Sequence, residues 1–398
     1  MKKLTIEDIQ VTGKRVLMRV DFNVPLKGDK VANDKRIRAS LPSIRYILDH
    51  GGRLILMSHL GRPKGQRAPE FSLKPCVPVL QELLDRPVGF VSDCIGKTVE
   101  EAVFHLAEGH ALLLENLRFY KEEEGNDPQF AKQLAALGDR YVNDAFGTAH
   151  RAHASTEGIT HYMSQCAAGF LMTKELDYLG RLMENPAKPF VAILGGAKVS
   201  DKIEVINNLL PIVDQIVIGG GMAFTFFKAQ GLDIGGSLLE ADKLDLARNL
   251  LSKAGDKIVL PSDCVVSDAF DLKARKVGQI REVDVKHIST GWIGLDIGSR
   301  SITQFQSIIN SAKTVFWNGP MGVFELEQTA KGTFAVARML AKTTAAGAVT
   351  VIGGGDSAAA VEKAGVEDQV SHVSTGGGAS LEFVEGKTLP GVAALTDK

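Results

Sequence analysis

The pattern that most limits what this chain can become is a buried run that stops on glycine and restarts as a helix. Its clearest instance is Ala348 to Ala360, AVTVIGGGDSAAA. The β-branched apolar residues predict a strand ending at Ile352, and the alanine-rich stretch after Ser357 predicts a helix. Gly353, Gly354 and Gly355 let the backbone approach a ligand closely, and the first N–H groups of a helix have no intrahelical partners. A phosphate suits such a turn. Asp356 adds a hard oxygen of the kind Mg²⁺ prefers. The same residues also make a plain tight turn with Asp356 as helix N-cap. Taken alone, the stretch leaves both readings open.

The pattern recurs through the second half. A strand at 190–194 runs into Gly195-Gly196, with Lys198 and Lys202 four residues apart just beyond. A helix starting near Ser200 would point both lysines at one turn. A strand at 215–218 runs into Gly219-Gly220-Gly221. Further strands are expected at 258–260, 293–295 and 314–317, the last leading through Asn318 and Gly319 to Glu325. Ser374-Thr375 precedes Gly376-Gly377-Gly378. Turn-making alone does not require so many glycine turns at strand ends. They indicate one sheet edge held close to a ligand such as a nucleotide.

The first half alternates in the same way, but its strand ends are polar. Residues 14–25 begin as a strand, with Arg19, Asp21 and Asn23 on one face until Pro25 stops the ladder. A helix at 40–50 closes on Gly51-Gly52, and a strand at 53–58 enters His59-Leu60-Gly61-Arg62-Pro63. Helices at 75–85 and 98–107 alternate with strands at 88–91 and 111–114. Asp127 caps a helix with Pro128 in its first position. Such alternation implies mainly parallel sheets flanked by helices. The recurring strand-end residues are Asp21/Asn23, His59/Arg62, Glu115 to Arg118 and Asn143-Asp144, with Arg36, Arg38 and Arg151 in loop-like stretches nearby. Singly, each arginine is most simply a solvated charge. As a set at strand ends, they suit a phosphate or carboxylate. His150 and His153 have no third ligand at local spacing, which favours a structural role.

A chain of 398 residues is sized for two domains. Its net charge of −1 gives no global field for nucleic acid or an anionic membrane. The four cysteines are scattered without a CxxC pair, so no zinc or redox motif is indicated. No apolar run approaches the ~20 residues of a membrane helix, and the first residues do not read as a signal peptide. A cytoplasmic protein is expected. Val91 stands where a P-loop ending in Gly96-Lys97-Thr98 needs glycine. There is no GxSxG, no HExxH and no protein-kinase set. Gly353 to Ala358 fits GxGxxG/A, but the acid expected ~20 residues on is missing. That counts against a nicotinamide-dependent dehydrogenase. A non-catalytic two-domain anion binder is the other rival, and the lack of an export signal counts against it.

Across nearly the whole chain, in order, the sequence resembles the phosphoglycerate kinase family. The carrying stretches are Arg19 to Pro25, Ser58 to Pro63, Glu115 to Arg118, Tyr141 to Ser155, Gly195 to Lys202, Trp317 to Pro320, Gly353 to Ser357 and Ser374 to Ser380. Ser357 stands where threonine is common and keeps the hydroxyl. The resemblance implies two Rossmann-like domains joined by an interdomain helix and hinge. Residues 173–184 read as the linking helix from their own apolar side, with Thr173 as N-cap, and the α/β pattern restarts just after it, so domains are expected at 1–172 and 173–381; the resemblance adds a segment 382–398 packing back on the first domain. It also implies reversible transfer of the acyl phosphate of 1,3-bisphosphoglycerate to ADP, with Mg²⁺, after hinge closure, by a cytoplasmic monomer. Asp21 and Asn23 would bind the hydroxyl and carboxyl end of the phosphoglycerate. His59, Arg62, Arg118 and Arg151 would bind its remote phosphate, and Arg36 would sit against the group in transfer. Gly196, Gly220, Gly221 and Gly294 would line the adenosine site, with Asn318 and Glu325 serving ribose and phosphates. Lys202 and the Gly353-Gly354-Gly355-Asp356-Ser357 turn would hold the nucleotide phosphates, with Asp356 as metal ligand. Arg36, Lys198, Lys202, Gly354 and Gly377 would be the catalytic set.

Overall fold

The computed structural model describes residues 2–398. They form two compact units, one running up to Asp177 and including Thr388–Lys398, the other Tyr178–Lys387. The sequence reading put the divisions after residues 172 and 381. The first falls instead inside one continuous helix, Phe170–Glu184, and the second after Lys387.

The first unit is built on six parallel strands in the spatial order Val88–Val91, Ala111–Leu114, Arg53–Met57, Arg15–Arg19, Arg140–Asn143, Cys166–Ala168. Apolar side chains cover both faces of the central strands, as a sheet packed on both sides requires. Val16, Met18, Leu54 and Leu56 pack with Ile37, Ile44, Ile47 and Leu48 of helix Lys35–Asp49. The last residues belong to this unit. Lys3 Nζ donates to Ala393 O at 2.9 Å and Leu395 O at 2.8 Å, and Leu4 N donates to Thr396 O at 2.8 Å.

The second unit has six parallel strands in the order Ile258–Val259, Gln215–Ile218, Phe190–Leu194, Thr314–Asn318, Val349–Gly353, His372–Val373. Numbered along the chain, that is 3-2-1-4-5-6, the order of doubly wound nucleotide-binding sheets. Its core joins Val191, Ile193, Val315 and Trp317 to Phe305, Val336 and Leu340.

Four expectations are corrected. Strand Arg15–Arg19 ends before Asp21 and Asn23, which therefore lie in a loop rather than on one strand face with Arg19. Arg36 and Arg38 are not in a loop; helix Lys35–Asp49 starts earlier than its apolar stripe and carries both in its first turn. Thr173 is not an N-cap, because helix Phe170–Glu184 begins before it and its hydroxyl bonds back to Gly169 O at 2.9 Å. Strand Ile293–Ile297 does not join the parallel sheet. It forms an antiparallel three-stranded sheet with Asp263–Ser267 and Ile280–Asp284.

Candidate active site

In the first unit the polar residues gather at the carboxyl ends of the strands, because all six strands run the same way. Arg36 Nη1 donates to Asp21 Oδ2 at 2.6 Å. Asn23 Oδ1 accepts from Gly61 N at 2.9 Å, and Arg118 Nη1 donates to Gly61 O at 2.9 Å. These bonds tie the loops after three strands together. Arg62 lies exposed beside Gly61. Arg151 Nε donates to His150 Nε2 at 3.2 Å in the loop beyond strand Arg140–Asn143.

Beneath this edge lies a buried network in which His59 and Arg118 meet Arg19, Ser155 and Glu123, three residues that the sequence reading did not assign to the site. Arg19 is fully buried. Its Nε donates to Ser155 Oγ at 2.8 Å, and its Nη2 lies 3.1 Å from His59 Nδ1. Arginine only donates, so Nδ1 of His59 accepts and the ring proton sits on Nε2. Burial, then the charges of Arg19, Arg118 and Arg36, push the His59 pKa well below its usual value, so the ring is neutral. Glu123, also fully buried, accepts from Ser155 N at 2.9 Å and Ser155 Oγ at 2.6 Å. Only proximity in the fold links Arg19, Glu123 and Ser155; nothing in their spacing announces it. Arg118 is 3% exposed, and its Nη2 has no hydrogen-bond partner among the described residues. A buried guanidinium donor left open in this way suits an anion.

In the second unit a cavity of about 450 Å³ lies at the point where the strand order reverses, between the ends of Phe190–Leu194 and Thr314–Asn318. Gly196, Gly220, Gly221, Gly294, Glu325 and Asp356 of the expected set line it. The glycines are small for a reason: a Cβ on Gly294 would run into the Phe224 ring, and one on Gly220 would lie 2.6 Å from Gly196 O. The sequence reading missed the apolar walls, formed by Phe224, Leu238, Phe270, Leu272, Met321 and Val323. They come from separate elements and share no local motif.

The rest of the second-unit set gathers on its own bonds. Lys202 Nζ donates to Asn318 Oδ1. Burial lowers the Lys202 pKa, against the charges of Asp201, Glu385 and Asp356. Gly354 has φ +91°, and a Cβ there would lie 2.9 Å from Asn318 Nδ2. Helices Gly355–Lys363 and Gly377–Val384 start side by side, since a Cβ on Gly377 would lie 3.4 Å from Gly355 N. Two helix N-termini thus converge where Lys202 and Asn318 meet, and such N–H groups favour an anion. Lys198 is exposed on the preceding loop. Ser357 is fully buried, and its hydroxyl accepts from Gly319 N at 2.6 Å. It holds the loop after Asn318 to the head of the helix. Asp356 is exposed, and no group of three or more candidate metal-ligating His, Cys, Asp or Glu side chains occurs among the described residues. One free carboxylate fits a Mg²⁺ held mainly by phosphate and water, not a protein cage.

A larger crevice of about 1060 Å³ in the first unit, lined by Leu26, Pro69, Pro78, Phe90 and Phe119, takes in Glu115 of the strand-end set but none of the residues expected to bind substrate.

The phosphoglycerate kinase family model matches residues 6–387. A phosphoglycerate kinase of Chloroherpeton thalassium is 59% identical over 400 residues, covering 100% of both chains. One of Chlorobaculum tepidum is 60% identical over 401 residues with the same coverage. The solved structure of phosphoglycerate kinase from Coxiella burnetii is 40% identical, with a TM-score of 0.89 and 98% of each chain covered. That of the Pyrococcus horikoshii enzyme is 34% identical, with a TM-score of 0.84 over 98% of each chain. With the whole length matched and the fold shared, this chain belongs to the phosphoglycerate kinase family.

Proposed function

We propose that this protein is a phosphoglycerate kinase of glycolysis and gluconeogenesis. It moves the acyl phosphate of 1,3-bisphosphoglycerate to ADP, giving 3-phosphoglycerate and ATP, reversibly. Family membership over the full length carries this reading. The chemistry of the two residue sets supports it.

In the ATP-consuming direction the attacking group is a carboxylate. Its pKa near ~4 leaves it ionised at neutral pH, so no general base is needed. The enzyme must position the reactants and balance the charge on the phosphoryl oxygens. Asp21 and Asn23 would hold the hydroxyl and carboxyl end of the substrate. The Nε2–H of neutral His59, with Arg62, Arg118 and Arg151, would hold the remote phosphate. Gly196, Gly220, Gly221 and Gly294 would line the adenosine site. Asn318 and Glu325 would serve the ribose and phosphates, and Lys202 with the Gly353–Gly355, Asp356 and Ser357 turn would hold the phosphates. The buried Ser357 hydroxyl acts there by fixing the turn. Arg36, Lys198, Lys202 and the amides near Gly354 and Gly377 would stabilise the group in transfer. Asp356 would hold Mg²⁺, which when bound neutralises charge on the nucleotide phosphates. We take the enzyme to be a cytoplasmic monomer with no nucleic-acid or membrane partner.

The test is turnover of ATP with 3-phosphoglycerate by the purified protein. A folded protein that binds ATP but forms no ADP with this acceptor would overturn the substrate assignment.

A further inference from the structure

The cavity of the second unit contains a carboxylate that no role above uses. Asp296, in strand Ile293–Ile297, lines the cavity and is 5% exposed. Its Oδ2 accepts from Gly332 N at 2.7 Å, and its Oδ1 from Ile297 N at 2.9 Å. Helix Lys331–Ala345 receives no side-chain cap from its own N-cap residue, Ala330. Asp296 supplies that acceptor from a different element. A Cβ on Gly322 or on Gly332 would strike Oδ1, so both glycines make room for it. The loop 319–325, which carries Pro320, Met321, Val323 and Glu325 into the cavity wall, is tied to the same two elements. Val323 N donates to Leu295 O at 2.7 Å, and Met321 N donates to Thr333 Oγ1 at 3.0 Å.

We propose that Asp296 is a positioning residue for nucleotide binding: its carboxylate locks strand Ile293–Ile297 to the head of helix Lys331–Ala345 and so holds the 319–325 wall in its binding shape. The proposal rests on reading this cavity as the nucleotide site.

The lock is sensitive to protonation. Burial pushes the Asp296 pKa up to about 7, against the two N–H donors and the charge of Lys331. The charged form accepts both bonds strongly, whereas a protonated carboxyl surrenders part of its acceptor capacity. Charged and titratable groups on the adjoining elements are Asp263 and Cys264 on the paired strand, Lys331, Arg338 and Lys342 on the helix, Glu325 in the loop and Asp356 across the cavity. Burial pushes the Cys264 thiol up to about 12, so it stays neutral. Burial opposes the charge on Asp263, but the Ser301 hydroxyl and the Arg300 and Ser301 N–H groups keep its pKa below the usual range. Lys331 is the charge that acts on Asp296.

Asp296→Asn keeps the size and one acceptor but places an NH₂ where the second N–H must be accepted. The KM for ATP and kcat are measured for both proteins from pH 6 to 8.5, with folding checked by calorimetry. Both share the titration of the nucleotide's own phosphate, so the ratio of their KM values isolates Asp296. The ratio is expected to be near one at pH 6 and to rise to roughly fivefold above pH 8, with kcat changed less than about twofold. A ratio independent of pH, or a loss in kcat with KM unchanged, overturns the proposal. Should Asp296→Asn fail to fold, Gly322→Ala crowds the same oxygen, and an unchanged KM for ATP in that variant overturns it equally. Hydrogen exchange separates this from failure of the site itself. ATP should protect the amides of 220–224 and 319–325 in the unaltered protein. No protection removes the site reading and the proposal with it, whereas protection with a flat ratio removes the proposal alone.

Discussion

Arg36 Nη1 donates to Asp21 Oδ2 across 2.6 Å, joining the first turn of helix Lys35–Asp49 to the loop after strand Arg15–Arg19. The arginine side chain is 39% exposed and the aspartate 11%, so the guanidinium is steered from below and open above. The aspartate is nearly buried, so removing the arginine leaves its carboxylate without this partner, at a cost of about 1–3 kcal/mol. Arg36→Ala should therefore lower the melting temperature only modestly. It should lower kcat by roughly 10²–10³, the usual cost of losing one transition-state donor. Steady-state kinetics beside calorimetry check this, and a kcat loss of only a few fold in a folded variant contradicts the role.

Lys198 and Lys202 should separate in stability although both lower turnover. Lys202 is half-buried and donates to Asn318 Oδ1. Its removal strands that oxygen at a cost of about 1–3 kcal/mol. Lys198 is exposed, and Lys198→Ala should move stability by less than about 0.5 kcal/mol. Denaturant titration of the two alanine variants gives the comparison, and equal destabilisation would contradict it.

Gly354 holds φ +91° at the head of helix Gly355–Lys363, 2.9 Å from Asn318 Nδ2 for any added Cβ. Gly354→Ala should cost roughly 1–3 kcal/mol of stability through backbone strain. It should raise the KM for ATP and leave the KM for 3-phosphoglycerate unchanged. A variant in which the two KM values rise together would place Gly354 outside the nucleotide half of the site.

Asp144 predicts a pH dependence. Burial raises its pKa to about 6, although the Met172 N–H bonds Oδ1 and the Ser43 hydroxyl and Leu171 N–H nearby favour the charged form. A raised folded-state value favours the protonated form. Its stabilising contribution is complete below the unfolded value near 3.8 and is lost as pH rises through about 6. Asp144→Asn does not titrate. The stability of the unaltered protein relative to this variant should fall by roughly 2 kcal/mol between pH 4 and 7. A flat or rising difference in urea unfolding would show that the carboxyl is not buried as described.

How far the fold was legible depended on where each element's determinants lie. Strands Ala111–Leu114, Phe190–Leu194 and Gln215–Ile218 stood out with their observed limits, because strands buried on both faces are short apolar runs, and the half-exposed edge strand Val88–Val91 stood out by its β-branched and aromatic residues. Strand Ile280–Asp284 was invisible, since Arg281, Glu282 and Asp284 interrupt its apolar residues and none of the five is buried. Helix heads were misplaced where the cap comes from far along the chain. Asp144 Oδ1 accepts from Met172 N at 3.1 Å, so nothing beside Thr173 marks the true start. Asp296 caps Gly332 in the same distant way, at the head of a helix for which the sequence offers no start. The candidate residues at strand ends and glycine turns stand out because their backbone setting repeats, while the roles expected of them come from the family resemblance. The network of Arg19, Glu123 and Ser155 and the apolar cavity walls were not, because only the fold assembles them.

The most direct test of the central claim is turnover of ATP with 3-phosphoglycerate, with and without Mg²⁺, by the unaltered protein and by Asp356→Ala. The account predicts Mg²⁺-dependent ADP formation that falls by at least roughly 10² in the variant, with folding retained. Turnover that ignores Mg²⁺, or an Asp356→Ala protein as active as its parent, would contradict it.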